Sequence, residues 1–254
     1  MKRALLQVMN KTLEPLGLRV ERSEEEGRVP VADLLPLGEP GLTPEQREIR
    51  AVRNVLRYTT GSGSPYSALT FPAGYHSIEL GGEVLRGQRD PKSRLDGVPY
   101  DFTGKALLDL GCNQGGMVHA LADKIRAGFG LDYDPHMINA ANRVKAFRKT
   151  QHLHFFTFDL QEEPLEFLPN YLDADTVDIV FLLSVAMWIT NWREVIAAAA
   201  RIAPAMLFES NGSEEQQTEQ EAELKKTYGS VQLLRDSSPD DPIQGKRRLY
   251  LCAR

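Results

Sequence analysis

The stretch Asp109-Leu-Gly-Cys-Asn-Gln-Gly-Gly116 decides the fold of this chain. It ends the apolar run 105–110, which is predicted to be a buried strand, and it opens a predicted helix over residues 115–124. Glycines between a strand and a helix let the backbone approach a ligand closely and adopt dihedral angles that other residues avoid. The stretch therefore predicts a strand–loop–helix unit with a ligand-binding loop.

Apolar runs and helical segments alternate along the rest of the chain. Seven strands are predicted, at residues 105–110, 127–132, 153–158, 177–183, 205–209, 231–235 and 247–252. The helices between them are predicted at residues 115–124, 135–148, 192–202 and 214–227. This alternation is typical of a doubly wound α/β fold, Rossmann-like, with a mostly parallel sheet covered on both faces. The last two strands have no helix between them, so we expect an antiparallel hairpin at the sheet edge.

The chain before the first sheet strand has a different, mixed pattern. We interpret residues 1–73 as an N-terminal helical and irregular extension, and residues 74–254 as the ligand-binding domain. The extension is expected to hold an amphipathic helix over residues 2–13 and a second helix over 43–58, with Thr43 as the N-cap. Covering a pocket, dimerising and holding a substrate are the three roles that the sequence leaves open for it.

The composition sets broad limits on function. The 254 residues carry a net charge of -5, which gives no overall attraction to nucleic acid. No run approaches the roughly 20 apolar residues that a membrane helix needs. The two cysteines, Cys112 and Cys252, and the absence of a recognisable secretory leader favour a reducing cytoplasm. His136, His152 and His154 have no metal-ligand spacing with either cysteine, so no metal site is expected.

The spacing within the glycine loop separates the possible ligands. A dinucleotide fingerprint needs a second glycine where this chain has Asn113. A phosphate-binding P-loop needs a lysine where this chain has Met117. Neither pattern fits. The observed sequence instead resembles the first motif of class I S-adenosylmethionine-dependent methyltransferases.

The end of the second predicted strand strengthens the resemblance. Asp132 closes the run Gly130-Leu131-Asp132, 21 positions after Gly111. A carboxylate at this place in a βαβ unit can accept hydrogen bonds from both ribose hydroxyls of an adenosine. The resemblance implies that Asp109 lines the methionine end of the cofactor and that Tyr133 lies against the adenine.

Two further strand ends match the same family. In Thr157-Phe-Asp-Leu160, the resemblance implies that Asp159 bonds the adenine amino group and that Leu160 offers its backbone. At the end of the next strand, Ser184 is expected beside the sulfonium. The cofactor-binding residues implied by the resemblance are Tyr75, Arg89, Asp109, Gly111, Asn113, Gly115, Asp132, Tyr133, Asp159, Leu160 and Ser184.

The segment 74–89, Gly-Tyr-His-Ser-Ile-Glu-Leu-Gly-Gly-Glu-Val-Leu-Arg-Gly-Gln-Arg, is similar to the preface of a methyltransferase subgroup. That subgroup includes relatives of the enzymes that modify the wobble uridine of tRNA. The similarity implies that Tyr75 and His76 fold over the cofactor mouth and that Gln88 or Arg89 meets the cofactor carboxylate. A guanidinium suits that task because it can donate two parallel hydrogen bonds. The alternatives are an ordinary edge strand and a surface salt bridge of Arg89.

A methyl acceptor often needs a general base. The base candidates are Glu209, at a strand end, and His76, with His119 in third place. Small-molecule methyltransferases often carry His-His after the fourth strand, where this chain has Met187-Trp188. We expect these two residues to line the substrate, although Trp188 packing in the core remains an alternative. Cys112 is a nucleophile only in the less favoured interpretation; filling space within the loop is favoured.

The sequence thus predicts an S-adenosylmethionine-dependent methyltransferase acting on a small molecule, by O- or N-methylation and with a sugar-linked acceptor as one option. A tRNA- or RNA-modifying methyltransferase is the alternative that the preface favours and the net acidity disfavours. A catalytically silent partner protein that binds the cofactor is a third. The oligomeric state stays open.

Overall fold

A computed structural model describes residues 35–59, 71–238, 240–241 and 245–254. The predicted helix over residues 2–13 lies outside these residues. Within the described ranges, no helix is both long enough and apolar enough to cross a membrane.

The architecture is built on one seven-stranded sheet. Its strands are β3 (Ala106–Leu110), β4 (Ala127–Asp132), β5 (Leu153–Thr157), β6 (Ile179–Leu183), β7 (Ala205–Glu209), β8 (Ser230–Arg235) and β9 (Leu249–Ala253). Their order across the sheet is β5-β4-β3-β6-β7-β9-β8, and β3 to β7 pair in parallel. β9 pairs antiparallel with both β7 and β8. The predicted Rossmann-like fold with an antiparallel edge hairpin is confirmed, and β9 is the strand of that hairpin that joins the sheet.

Helices cover the two faces of the sheet. They are α1 (Pro44–Thr59), α2 (Pro91–Leu95), α3 (Gly116–Ala120), α4 (Pro135–Arg148), α5 (Trp192–Ile202) and α6 (Glu214–Thr227), with short 3-10 turns at Leu165–Tyr171 and Ala186–Trp188. α3 is shorter than the sequence predicted. Its last turn tightens, since the Leu121 N–H donates to the Val118 carbonyl, and the chain then turns to enter β4.

The strand order places the ligand edge. The connections run outward in opposite directions from β3 and β6, so a crevice opens between the carboxyl ends of these two neighbours. All five residues of β3 are buried, as expected of a central strand covered on both faces. Asp109 is the one residue of β3 with a charged side chain; the other four are apolar.

A small separate hairpin, β1 (Ile78–Leu80) with β2 (Glu83–Leu85), precedes the sheet. It packs together with α1 and α4 around an apolar cluster that includes Val52, Leu56 and Val144. α1 starts as the sequence predicted: the Thr43 Oγ1 accepts from the Gln46 N–H at 3.1 Å, and the Gln46 side chain accepts from the Thr43 N–H at 2.9 Å. The described part of the N-terminal extension is therefore docked on the helix that follows β4.

Replacing Leu56 by alanine should lower the free energy of unfolding by about 2–5 kcal/mol, because Leu56 is 0% exposed and its loss leaves a cavity between α1 and α4. Urea denaturation followed by circular dichroism measures the change. The exposed Glu48→Ala in the same helix is the control and should stay within about 0.5 kcal/mol of the wild type. Equal stability of the Leu56→Ala and Glu48→Ala variants would show that α1 is not docked.

Candidate active site

The glycine loop leaves β3 in an alternating conformation. Gly111, Asn113 and Gly115 have φ of 76°, 52° and 71°, all in the left-handed region. Glycine enters that region without cost, and asparagine is among the few other residues that adopt it readily. The backbone N–H groups of Gly111 and Cys112 both donate to the Leu131 carbonyl, at 2.8 and 2.9 Å. The loop is thereby fastened to the end of β4.

The acid at the end of β4 is held by the loop. One carboxylate oxygen of Asp132 accepts from the Asn113 N–H at 2.8 Å, and the other accepts from the Asp134 N–H at 3.0 Å. Asp132 is 7% exposed, and burial raises its pKa to about 6 against the opposing effect of these two bonds. Tyr133, which follows it, is 67% exposed. The ribose and adenine positions implied by the resemblance therefore lie together at one strand end.

Asp159 stands after β5, close enough to Asp132 to contribute to raising its pKa. Its Oδ1 accepts from the Gln161 N–H at 2.9 Å, which caps the turn that follows. The Leu160 carbonyl accepts from the Asn191 side chain at 2.8 Å, and this bond ties the turn to the start of α5. The structure thus brings Asp132 and Asp159 to one edge, with Asp159 already serving a local turn.

The segment before β1 covers the loop. The Arg89 N–H donates to the Tyr75 carbonyl at 2.7 Å and the Ser77 N–H donates to the Arg89 carbonyl at 2.8 Å, so His76 is clamped between them. His76 is 2% exposed. A Cβ atom added to Gly116 would lie 2.4 Å from the Cγ of His76. The imidazole therefore rests directly on the first residue of α3, where only a glycine leaves room.

The surroundings of His76 favour the neutral form of its imidazole. Burial lowers its pKa well below the usual value, and the guanidinium groups of Arg94 and Arg89 lower it further. Neither ring nitrogen has a hydrogen-bond partner among the described residues. Buried ring nitrogens are normally bonded, so this pair points to a ligand contact.

Asp109 is a second buried group with unused capacity. It is 2% exposed, and within the described ranges its Oδ2 has no hydrogen-bond partner. Burial raises its pKa to about 7; the Arg94 guanidinium opposes this rise and Asp132 adds to it. A carboxyl group that titrates near neutral pH inside a cleft is typical of a functional site.

Arg89 is engaged by protein carboxylates. Its guanidinium donates to both oxygens of Glu209, at 2.8 and 3.2 Å, and its Nε donates to Asp240 at 2.6 Å. The side chain is 0% exposed. The resemblance implied that Gln88 or Arg89 meets the cofactor carboxylate. In this structure the bonds of Arg89 run to the end of β7 and to the loop before β9, and Gln88 donates to Asp241 in that loop at 2.9 Å.

Glu209 is the centre of this cluster. Besides Arg89, it accepts from Arg94 Nη2 at 2.8 Å, and Arg247 Nη1 lies 3.7 Å away. The hydroxyls of Ser184 and Ser238 also donate to it. Burial raises its pKa, but the guanidinium groups of Arg94 and Arg89 outweigh burial and hold the pKa below the usual range. A carboxylate held in this way is a weak base.

The turn after β6 is held by Asn211 and Arg247, which sequence reasoning missed. Ser184 has φ of 63°, an unusual value for serine. The Asn211 side-chain amide donates to the Ser184 carbonyl at 2.6 Å and accepts from the Met187 N–H at 3.0 Å. Arg247 Nη1 donates to the Ser184 hydroxyl at 2.8 Å. Asn211 and Arg247 thus hold the turn that carries Met187 and Trp188.

The predicted substrate residues lie at the surface of that turn. Met187 is 37% exposed and Trp188 is 54% exposed, which argues against core packing of the tryptophan. A cavity of about 240 Å³ opens next to them, lined by Met187, Thr190, Trp192 and Gln216 among others. An aromatic ring, a hydroxyl and an amide therefore face a hollow beside the strand ends.

The two remaining candidates, His119 and Cys112, are buried in the protein. His119 Nε2 lies 3.1 Å from the Ala141 carbonyl of α4, and burial lowers its pKa to about 3. Cys112 is 0% exposed, and burial raises the pKa of its thiol well above the usual value. A buried thiol of high pKa is a poor nucleophile.

Arg94, Arg247, Asn211, Asp240 and Asp241 form part of the site and were not predicted. No spacing rule marks them, because they come from a five-residue helix, a strand end and the loop before β9. Their sequence contexts, such as Pro91-Lys-Ser-Arg-Leu95, look like ordinary charged surface. The bonds of Arg94, Asp240 and Asp241 join segments more than 100 residues apart. Those of Arg247 and Asn211 to Ser184 span 63 and 27 residues.

Comparison with known proteins agrees with this geometry. Residues 108–204 match a family model described as a methyltransferase domain. No curated protein matches the sequence significantly. The crystal structure of EvdMO1 is similar with a TM-score of 0.58 and 16% identity, covering 82% of this chain and 47% of that one. The N-terminal domain of EvdMO1 in the presence of SAH and D-fucose has a TM-score of 0.59 and 12% identity, covering 85% and 100%.

A third similar structure, WbdD with the kinase inhibitor LY294002, has a TM-score of 0.52 and 20% identity, covering 66% of this chain and 42% of that chain. This chain therefore spans about half the length of the full EvdMO1 and WbdD chains. At these identities the similarity concerns the fold. The match to a methyltransferase domain agrees with the S-adenosylmethionine cofactor that the sequence predicted.

The residues present fit that cofactor. Asp132 has the kind of carboxylate that can accept ribose hydroxyls, and it is bonded to the left-handed loop. Asp109 and His76 add buried polar atoms that have no partner in the described part of the chain. Buried groups of this kind cost stability unless a ligand satisfies them.

Replacing Glu209 by glutamine should lower the free energy of unfolding by about 3–5 kcal/mol, because it leaves buried guanidinium groups without their shared carboxylate. The matched control is Glu219→Gln, which removes the exposed pair with Arg193 and should cost less than about 1 kcal/mol. Denaturant titration measures both. Similar small losses in the two variants would contradict the central place given to Glu209.

Proposed function

We propose that this chain is an S-adenosylmethionine-dependent methyltransferase that acts on a small-molecule acceptor. The observation that carries the proposal is the meeting of Asp109, the left-handed loop and Asp132 at the point where the strand order reverses. A dinucleotide or phosphate ligand is not favoured, since Asn113 and Met117 replace the residues that those ligands need.

The bound cofactor would supply a methyl group on a sulfonium, and the neutral thioether is a good leaving group when that methyl is transferred. The chain's own part is to bind and to orient. Asp132 would accept hydrogen bonds from the ribose hydroxyls, and Tyr133 would lie on the adenine. Asp109 would accept a hydrogen bond from the ammonium at the amino-acid end. The turn that starts at Ser184 would then hold the acceptor in line with the methyl group.

His76 and Glu209, the two predicted base candidates, both have a pKa below the usual range, and a group of low pKa takes up a proton poorly near neutral pH. Glu209 also accepts bonds from Arg89 and Arg94 and would lose them on protonation. The ring nitrogens of His76 have no partner in the described residues, so one of them can accept a hydrogen bond from a ligand. We propose that Glu209 holds the site together, and that His76 orients the hydroxyl or amine of the acceptor rather than removing its proton.

A sugar-linked acceptor is the option with a supporting observation. Trp192, Thr190, Gln216 and Glu219 line the hollow beside Met187, and an aromatic side chain among hydroxyl, amide and carboxylate groups suits a polyhydroxylated ring. The fold is also similar to that of the EvdMO1 N-terminal domain in the presence of SAH and D-fucose. This similarity supports the option without identifying the sugar.

RNA is the second candidate acceptor, and a silent cofactor-binding protein is the third. The similarity of the segment 74–89 to the wobble-uridine subgroup supports RNA. The net charge of -5 opposes it, because phosphate binding depends on basic surface.

Incubation with a labelled methyl donor, metabolite fractions and bulk tRNA separates the three candidate functions. Label in sugars or other small molecules supports the proposal, label confined to RNA replaces it with the second candidate, and no label with intact binding favours the third.

Replacing Asp132 by alanine should weaken SAH binding roughly 5- to 150-fold, because leaving buried hydrogen-bond partners without the carboxylate costs about 1–3 kcal/mol. Isothermal calorimetry measures the affinity. Asp134→Ala is the matched control: it removes the cap of α4, where Asp134 Oδ1 accepts from His136 N at 2.8 Å, and should leave SAH affinity nearly unchanged. Equal losses in both variants would count against a ribose role for Asp132.

SAH affinity should fall as the pH drops below about 7. Asp109, which faces Arg94, Asp132 and the Cys112 thiol, has a pKa of about 7 without ligand, and an ammonium ligand favours its charged form. Binding at lower pH must therefore release a proton. Calorimetry in buffers of different ionisation enthalpy measures this release. Asp109→Asn should move the inflection down towards about 6, the pKa of Asp132, and an unmoved inflection contradicts the assignment.

A further inference from the structure

Arg94 is a buried guanidinium with an unused edge. It lies on α2 with its side chain 3% exposed, and its Nη2 donates to Glu209 at 2.8 Å. Its Nε has no hydrogen-bond partner in the ranges that the structure describes. A buried charged donor without an acceptor is costly, so its persistence points to a ligand that supplies one.

Two neighbours of Arg94, Asp109 and His76, also have buried polar atoms without a hydrogen-bond partner in the part of the chain that the structure describes. Asp109 Oδ2 and both ring nitrogens of His76 are buried and lack partners within the described residues. Arg94 lies near enough to both groups to lower the pKa of each. α2 also packs against α3, the helix that the glycine loop opens. One small region therefore combines an unused guanidinium N–H, an unused carboxylate oxygen and an imidazole.

The ion pairs around Glu209 are balanced without Asp109. Arg89, Arg94 and Arg247 face Glu209, Asp240 and Asp241, which is three cations and three anions. Asp109 stands outside this count with one oxygen left for a cation, and Arg94 has its Nε left for an anion. A zwitterion, with an ammonium and a carboxylate side by side, matches both groups. The α-amino-acid end of the cofactor has this character.

Arg89 is the less suitable cation for the carboxylate. Its Nε and Nη2 donate to Asp240 at 2.6 and 3.3 Å, and its two Nη atoms also donate to Glu209. Taking a ligand would break bonds that are already made. Arg94 would form a new bond through Nε without losing the one to Glu209.

We propose that Arg94, rather than Arg89, binds the α-carboxylate of the cofactor, opposite the ammonium held by Asp109. This inference rests on the proposed function, since it concerns the same cofactor. It assigns Arg89 to the support of Glu209 and Asp240, and it gives α2 a direct part in the site.

The test removes the amino-acid end from the ligand and the guanidinium from the protein. Calorimetry compares SAH with 5′-methylthioadenosine, which lacks the α-amino-acid group, on the full chain and on Arg94→Met. The variant should bind SAH roughly 10- to 150-fold more weakly, the range for a hydrogen bond to a charged group. Its affinity for 5′-methylthioadenosine should stay within about threefold. Arg193→Met, at an exposed arginine, is the matched control and should change neither affinity.

The outcomes are distinct. If Arg94→Met keeps the full preference for SAH over 5′-methylthioadenosine, the assignment of Arg94 is wrong and the proposed function stands. If the wild type binds neither ligand, both are wrong. Binding of 5′-methylthioadenosine reports that the variant is folded. Should Arg94→Met fail to fold, Arg94→Lys serves instead: it keeps the charge but loses the Nε edge, and an undiminished SAH preference there overturns the assignment.

Discussion

The buried carboxylate of Glu209 is the interaction on which the rest of the site depends. It lies at the end of β7, where a charge is tolerated only because Arg89, Arg94 and Arg247 surround it. Leaving a charge unpaired in such a place costs several kcal/mol, so each partner segment must stay in position. The segment before the sheet, the sheet itself and the loop before β9 are joined at this one point. Chain regions that are far apart in the sequence therefore form one cluster of ion pairs around Glu209.

The same cluster affects the pKa values of the buried groups at the carboxyl ends of the strands. Glu209 opposes the effect of the guanidinium groups on the pKa of His76. Burial nevertheless lowers that pKa well below its usual value, and burial raises the pKa of Asp109 to about 7. A site of this kind has little net charge and several unused polar atoms. Such a site suits a zwitterionic ligand better than a polyanion.

Sequence reasoning worked where the chemistry is local. The loop conformation follows from Gly111, Asn113 and Gly115, and the position of Asp132 follows from the strand that it ends. The same reasoning found Arg89 but could not assign its partners. An arginine in a charged segment has the same appearance in sequence whether it bonds a cofactor or Asp240. The difference is made by residues 120 and 151 positions away.

The sequence by itself determined the strand and helix alternation, the seven-stranded sheet with its antiparallel hairpin, and the left-handed loop between β3 and α3. These features arise from the periodicity of apolar residues and from backbone conformations that few residues adopt. Tertiary structure alone decided which charges are buried, which of them neutralise one another, and which polar atoms are left for a ligand. Those outcomes depend on long-range packing, because the energy of an ion pair is set by its exposure and its partners rather than by its place in the chain.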